Sequence, residues 1–227
     1  MPQPTLTGVA SSGRSSGTQT TLTVSHTSNG DHLWAVVAIF GSAGTIVDVG
    51  TCTYGGTALR FMGGYALGTY TFNLFRLTSP TPGTANIVFT NSGAPDARFT
   101  GLGAFNSSGD LDAIRLAIRT GSSTTPSVPI VCESTLEFII DMVVADDVSQ
   151  TFTPDASQSQ IVQNTDATSN IHLSLSSKAG SVGTVTMSQT LGSSDVWTHI
   201  AFPLVGSAAS GGGAGGVGGP TLGEAWG

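Results

Sequence analysis

Every ten residues or so this chain reaches a turn signal, and between signals its apolar residues alternate with polar ones or run in short blocks. That rhythm constrains the fold more than any other feature. Alternation with a period of two places one strand face on a core and the other in solvent, and short apolar runs suit strands covered on both faces. Residues 20–27 (TTLTVSHT) alternate cleanly. Asn29-Gly30 follows, a dipeptide that tolerates positive φ and signals a hairpin. Residues 32–40 (HLWAVVAIF) then read as an apolar central strand, so residues 20–40 are expected to form a β-hairpin. Further strands are expected at 46–54, 57–62, 69–77, 85–90, 97–105, 127–132, 135–145, 170–178, 182–189 and 196–205. Residues 111–119 are the one helix candidate, with Leu111, Ile114 and Ile118 at helical spacing, and the segment reads equally well as a strand.

The expected fold is therefore all-β, an antiparallel β-sandwich of jelly-roll type spanning residues 17–205. Residues 1–16 read as an N-terminal arm. Two small β domains parted at residues 120–126 (TGSSTTP) are the alternative. No strong internal sequence repeat is visible, although LWAVVAIF and LEFIIDMVV share a rhythm that suits equivalent central strands, one in each sheet. Residues 206–227 (GSAASGGGAGGVGGPTLGEAWG) hold ten glycines and too little apolar surface to offset their ordering entropy. This segment is expected to be a flexible tail, with Leu222 and Trp226 as its points of partner contact.

Charged residues make up only 9% of the chain, against roughly 25% in ordinary soluble domains, so Ser, Thr, Gly, Asn and Gln must build the surface. The formal net charge is −7, Lys178 is the single lysine, and the six arginines are scattered. Phosphate binding needs clustered cations, which argues against nucleic acid as a partner. Cys52 and Cys132 are too few for a disulfide scaffold and read as buried thiols. The N-terminal residues lack the charged and apolar regions of a secretory signal, and the apolar run 33–40 is too short to span a bilayer as a helix. The reading is a protein made in a cytoplasm, with no membrane partner.

Motifs that could carry chemistry are sparse. Gly13-Arg14-Ser15-Ser16-Gly17 fits G-x-S-x-G, but it lies in a Ser/Gly-rich loop with no helix to form a nucleophile elbow. His26, His32, His172 and His199 have no metal-ligand spacing; His26 and His32 would flank the turn on a polar face. Glu133 and Glu137 share a strand face at a wider separation than a retaining glycosidase pair has. Asn106, Ser108, Asp110 and Asp112, and separately Asp146-Asp147, offer oxygen-rich loops without the EF-hand pattern. Tyr54, Tyr65 and Tyr70, with Phe61, could line a surface groove for a glycan. Trp34 and Trp197 read as core. No catalytic residue, metal or cofactor is expected.

Residues 49–59 (VGTCTYGGTAL), Leu77-Thr78-Ser79-Pro80 and the run Pro82-Gly83-Thr84-Ala85-Asn86-Ile87-Val88 carry a resemblance. So do residues 136–144, 177–180 and 197–201. Together they resemble a β-sandwich domain of tailed-phage virion structural proteins and some bacterial surface proteins. The resemblance implies a capsid decoration (cement) protein, located on the virion and bound to the major capsid protein or other virion proteins. It also implies a homo-oligomer, with a trimer as the expected form. A receptor- or glycan-binding domain of a tail fibre is the alternative.

Overall fold

The computed structural model describes residues 3–14, 21–40, 50–67, 70–91, 99–110, 115–145, 150–165 and 171–206. Among these residues all regular structure is β, and the strands fall into two consecutive sets. The first holds β1 (Leu6–Arg14), β2 (Thr21–Ser28), β3 (His32–Phe40), β4 (Thr51–Tyr54), β5 (Thr57–Ala58), β6 (Arg60–Leu67), β7 (Tyr70–Leu77), β8 (Gly83–Thr90) and β9 (Phe99–Ser107). After the short β10 (Gly109–Asp110) come β11 (Ala117–Ser123), β12 (Ser127–Cys132), β13 (Glu137–Ala145), β14 (Phe152–Pro154), β15 (Ser159–Asn164), β16 (His172–Ala179), β17 (Gly183–Leu191) and β18 (Asp195–Gly206).

Each set folds into its own antiparallel sandwich. In the first, the order β1-β9-β3-β7-β6 faces β2-β8-β4-β5. In the second, β18-β13-β16-β15, with β11 and β10 both on β18, faces β12-β17-β14. Matching strands one to one gives the same pairing twice, which is the jelly-roll arrangement. The antiparallel sandwich expected from the sequence is present, but as two in tandem rather than a single one over residues 17–205. The junction lies between β9 and β11, not at residues 120–126, because β11 already occupies most of that stretch.

The two sandwiches pack back to back and make four layers. Leu33, Ala35, Val37 and Ile39 of β3 point into the first sandwich, while Trp34, Val36 and Ala38 point the other way. These last three meet Ile140, Met142 and Val144 of β13, together with Leu173, Leu175, Ile200 and Phe202. Ile139 and Val143 face the second sandwich's own core. Both inner sheets are therefore buried on both faces, which is why β3 and β13 are continuous apolar runs. Each fully buried Leu, Ile or Phe contributes roughly 1.5–3 kcal/mol. Gly101 and Gly103 allow the close approach of β9 to β16, since a Cβ at either would strike Leu173 or Leu175. The central strands LWAVVAIF and LEFIIDMVV are indeed counterparts, but they belong to two sandwiches rather than to the two sheets of one.

Two expectations are corrected. β2 and β3 do not pair: β2 pairs with β8, and β3 with β7 and β9. The Asn29-Gly30 turn exists, with Gly30 at φ 95°, but it carries the chain from an outer sheet to an inner one. The described part of the expected N-terminal arm, residues 3–14, is not a free arm. β1 pairs with β9 along most of its length, and the Gln3 amide donates to the Glu137 carbonyl at 2.9 Å. The helix candidate is a strand where described, from Ala117 onward. Gly206, expected to open the tail, is instead the last residue of β18. Leu222 and Trp226 lie outside the described residues, as do Asp112, Asp146, Asp147 and the serines of the G-x-S-x-G run.

Candidate functional site

A surface groove of about 380 Å³ lies at one end of the first sandwich. It is built from the run that carries the family resemblance. Tyr54 ends β4, Gly55 and Gly56 make the turn into β5, and residues 77–85 supply the opposite wall. Gly55 and Gly56 take φ of 55° and 84°, a conformation that suits glycine in a tight two-residue turn. The Tyr54 hydroxyl donates to the Gly83 carbonyl and accepts from the Ser28 N–H at 3.2 Å. One phenol thus ties β2, β4 and β8 together beneath the groove floor. On the facing wall Ser79 holds φ at 48°, the one non-glycine in this region among the described residues. Such a residue costs of order 1–3 kcal/mol and persists only where its surroundings enforce it.

The groove is lined by Thr57, Thr78, Ser79, Thr81 and Thr84 hydroxyls and by the Pro80 and Pro82 rings. Among the described residues that line it there is no acid, base, histidine or cysteine. It offers hydrogen bonds and apolar contact to a neutral partner, and no general base or metal ligand. Half of the aromatic set that could have lined a glycan groove is internal. Tyr54 and Tyr70 are buried, while Tyr65 and Phe61 on β6 remain about 40% exposed.

Several titratable groups are used inside the protein. Asp141 on β13 is fully buried and faces His199 Nε2 at 2.8 Å. It also accepts from the Ser176 hydroxyl at 2.6 Å, the Ser176 N–H at 2.8 Å, and the Gln189 amide at 3.3 and 3.4 Å. Gln158 extends the cluster, donating to Ser176 Oγ at 2.6 Å and accepting from the Ser188 N–H at 2.7 Å. Ser, His and Asp are all present, yet the order is wrong for nucleophilic catalysis. A triad needs histidine between serine and aspartate; here aspartate sits between the other two, and all three are sealed from solvent.

Glu137 is likewise committed. Its Oε1 receives Arg115 at 2.8 Å and the Glu133 N–H at 3.0 Å. That hydrogen bond holds the Arg115 guanidinium above its ordinary pKa. Glu133, mostly exposed, lies 3.7 Å from the same arginine. The two glutamates therefore flank a cation rather than a substrate cleft. His26 is not on a polar face as expected: it is buried, with Nδ1 3.0 Å from Ser11 Oγ, and burial pushes its pKa below the usual value. Cys52 and Cys132 are buried free thiols in separate sandwiches, and burial raises the Cys52 pKa to about 12. Asn106 donates to the Thr27 carbonyl at 2.9 Å, and the Ser108 hydroxyl receives the Thr5 N–H at 3.0 Å. Among the described residues no three His, Cys, Asp or Glu side chains cluster as metal ligands, and no helix is long and apolar enough to cross a membrane.

Compared with protein-family models, curated proteins and solved structures, the chain finds no match in any of the three. Sequence reasoning missed β1, β14, β15 and the polar cluster around Asp141. The signal for the cluster was Asp141 itself, an acid in the middle of an apolar run.

Proposed function

We propose that this chain is a structural protein of a phage virion, a capsid decoration or cement protein that binds its neighbours without catalysis. The observation that carries this reading is the chemistry of the groove, whose described lining residues are Thr, Ser, Pro, Gly, Ala, Leu and Tyr, all uncharged. Asp141, His199 and Glu137, the acids and histidine with the closest polar partners, are instead hydrogen-bonded internally. Jelly rolls build both viral capsid and lectin domains, so the fold is compatible with the role and does not select it. The burial of Tyr54 and Tyr70 favours decoration over a glycan-binding fibre domain. The partners on this reading are the major capsid protein or other virion proteins, with the tail residues Leu222 and Trp226 adding contact.

Immunogold electron microscopy of gradient-purified particles tests the proposal. Label spread over the capsid surface is the expected result. Label confined to the tail fibres would move the protein to the fibre reading, and absence from particles would overturn a virion role. Particles assembled with a chain lacking residues 207–227 are expected to retain less of the protein; unchanged retention would remove the tail from the binding mechanism.

A further inference from the structure

An edge strand leaves a row of N–H and C=O groups able to extend another sheet, and proteins blunt such edges with bulges, proline, charge or shortness. Among the described edges all but one are blunted. β1 is irregular between Thr7 and Ser11, β6 between Phe61 and Gly63, and β15 between Gln160 and Val162. β12 has Pro129 at its middle, and β14 has three residues and ends in Pro154. β5 and β10 have two residues each, and β11 carries the exposed charge of Arg119. β2 is the exception. It is eight residues long, TLTVSHTS, with no proline, glycine, acid, Lys or Arg. It runs in unbroken register with β8, from Thr21 opposite Thr90 to Ser28 opposite Gly83.

We propose that β2 is a docking edge for a second copy of this chain, the two β2 strands pairing antiparallel about a two-fold axis. The strand is self-complementary. With Val24 opposite Val24 of the second copy, Leu22 meets His26, Thr21 meets Thr27, and Thr23 meets Ser25. The buried positions Leu22, Val24 and His26 stay on the core side, and the exposed Thr21, Thr23, Ser25 and Thr27 stay on the outer side. The two four-stranded outer sheets then become one continuous sheet. Charge permits contact at this edge. A chain with net charge −7 repels its own copies, whereas the outer face that β2 borders is made of Thr, Ser, Asn and Val on β2, β4 and β8. This pairing stands independently of the virion reading.

The test is sedimentation equilibrium of the full chain from micromolar to millimolar concentration. A reversible species of twice the 22.9 kDa chain mass is expected. Thr23→Lys with Ser25→Lys sets lysines opposite each other across the axis and is expected to weaken the dimer by more than about tenfold. Thr184→Lys with Thr186→Lys adds the same charge to the other outer sheet and is expected to leave the dimer unchanged. A parent protein that stays monomeric, a trimer indifferent to the β2 lysines, or equal weakening by both lysine pairs would each overturn the proposal. A nitroxide on Ser25→Cys gives a second readout, since Cys52 and Cys132 are buried and spared from labelling. The paired labels sit on a strand diagonal, with Cβ atoms about 7–8 Å apart. Strong dipolar broadening supports the pairing, and a dimer without broadening overturns it.

Discussion

The two sandwiches share a strand order but close their interiors with opposite chemistry. β8 and β17 both open with Gly-Thr, and Gly83 and Gly183 both take positive φ, 135° and 104°. Aligned from there, Phe89 corresponds to Gln189. The Phe89 ring lies 5.9 Å from Phe75, which pairs with Ala35. Gln189 reaches Asp141, which pairs with Ser176. The same registers place Leu102 where His199 stands. Ala35, Phe75, Phe89 and Leu102 thus belong to one uninterrupted apolar core, and Asp141, Ser176, Gln189 and His199 take their places in the other half. The second core is split as a result: Val128, Ile130 and Met187 lie on one side of the polar cluster, and Phe152, Leu191 and Trp197 on the other. The topology tolerates either filling because layer assignment and turn geometry are the same in both. What differs is the penalty for losing one member, since a hydrogen-bonded buried cluster fails as a unit.

The largest test of this contrast is Asp141→Ala. It strands His199, Ser176 and Gln189 in a sealed interior and is expected to lower stability by about 3–5 kcal/mol in a denaturant titration. Thiol labelling then separates the halves: Cys132 is expected to react before Cys52. Equal labelling rates would mean that the four layers unfold as one unit. Leu102→Ala is the mirror experiment, expected to cost about 2–5 kcal/mol and to expose Cys52 first. Importing the first half's chemistry, with Asp141→Ala, Ser176→Phe, Gln189→Phe and His199→Leu together, is expected to be neutral or to stabilise by about 1–4 kcal/mol. A loss as large as that of Asp141→Ala alone would mean the two sites are not interchangeable. Gly83→Ala and Gly183→Ala are each expected to cost about 1–2 kcal/mol, because both backbones sit at positive φ. Unequal losses would weaken the alignment of the halves. The smallest effect is a pH slope to which His26 contributes. Burial lowers the His26 pKa, so below about 6.5 the unfolded chain takes up the proton first. Stability is expected to fall as pH drops from 6.5 toward the folded-state pKa, by at most about 1.4 kcal/mol per pH unit from this group. His26→Leu is expected to flatten that slope.

Most strands were legible because alternation and turn residues mark them locally. Their partners were not. The Asn29-Gly30 signal is satisfied by a hairpin or by a corner between layers, and only the burial of β3 on both faces decides for the corner. That clue was present in the chain: β2 alternates and β3 does not, so the two strands could not share a half-exposed sheet. β1 was hidden because LTGVASSGR is short of apolar residues and irregular in its pairing. The duplication was hidden because equivalent positions hold residues as unlike as Ala35 and Asp141. The turns at Gly55-Gly56 and Pro80–Gly83 were legible, but the groove between them was not, because it and the Tyr54 hydroxyl's tie to Gly83 depend on strands brought together from a distance.

The back-to-back packing makes the molecule a short strut. Its inner sheets are spent on each other, so its outer sheets look in opposite directions, about 30 Å apart at ordinary sheet spacing. Such a body can touch a neighbour at each end, and its ends are not interchangeable. One terminates in the open β2, the other in β12 with Pro129 at its centre. A strut of this kind has a direction, and an assembly built with it inherits that direction.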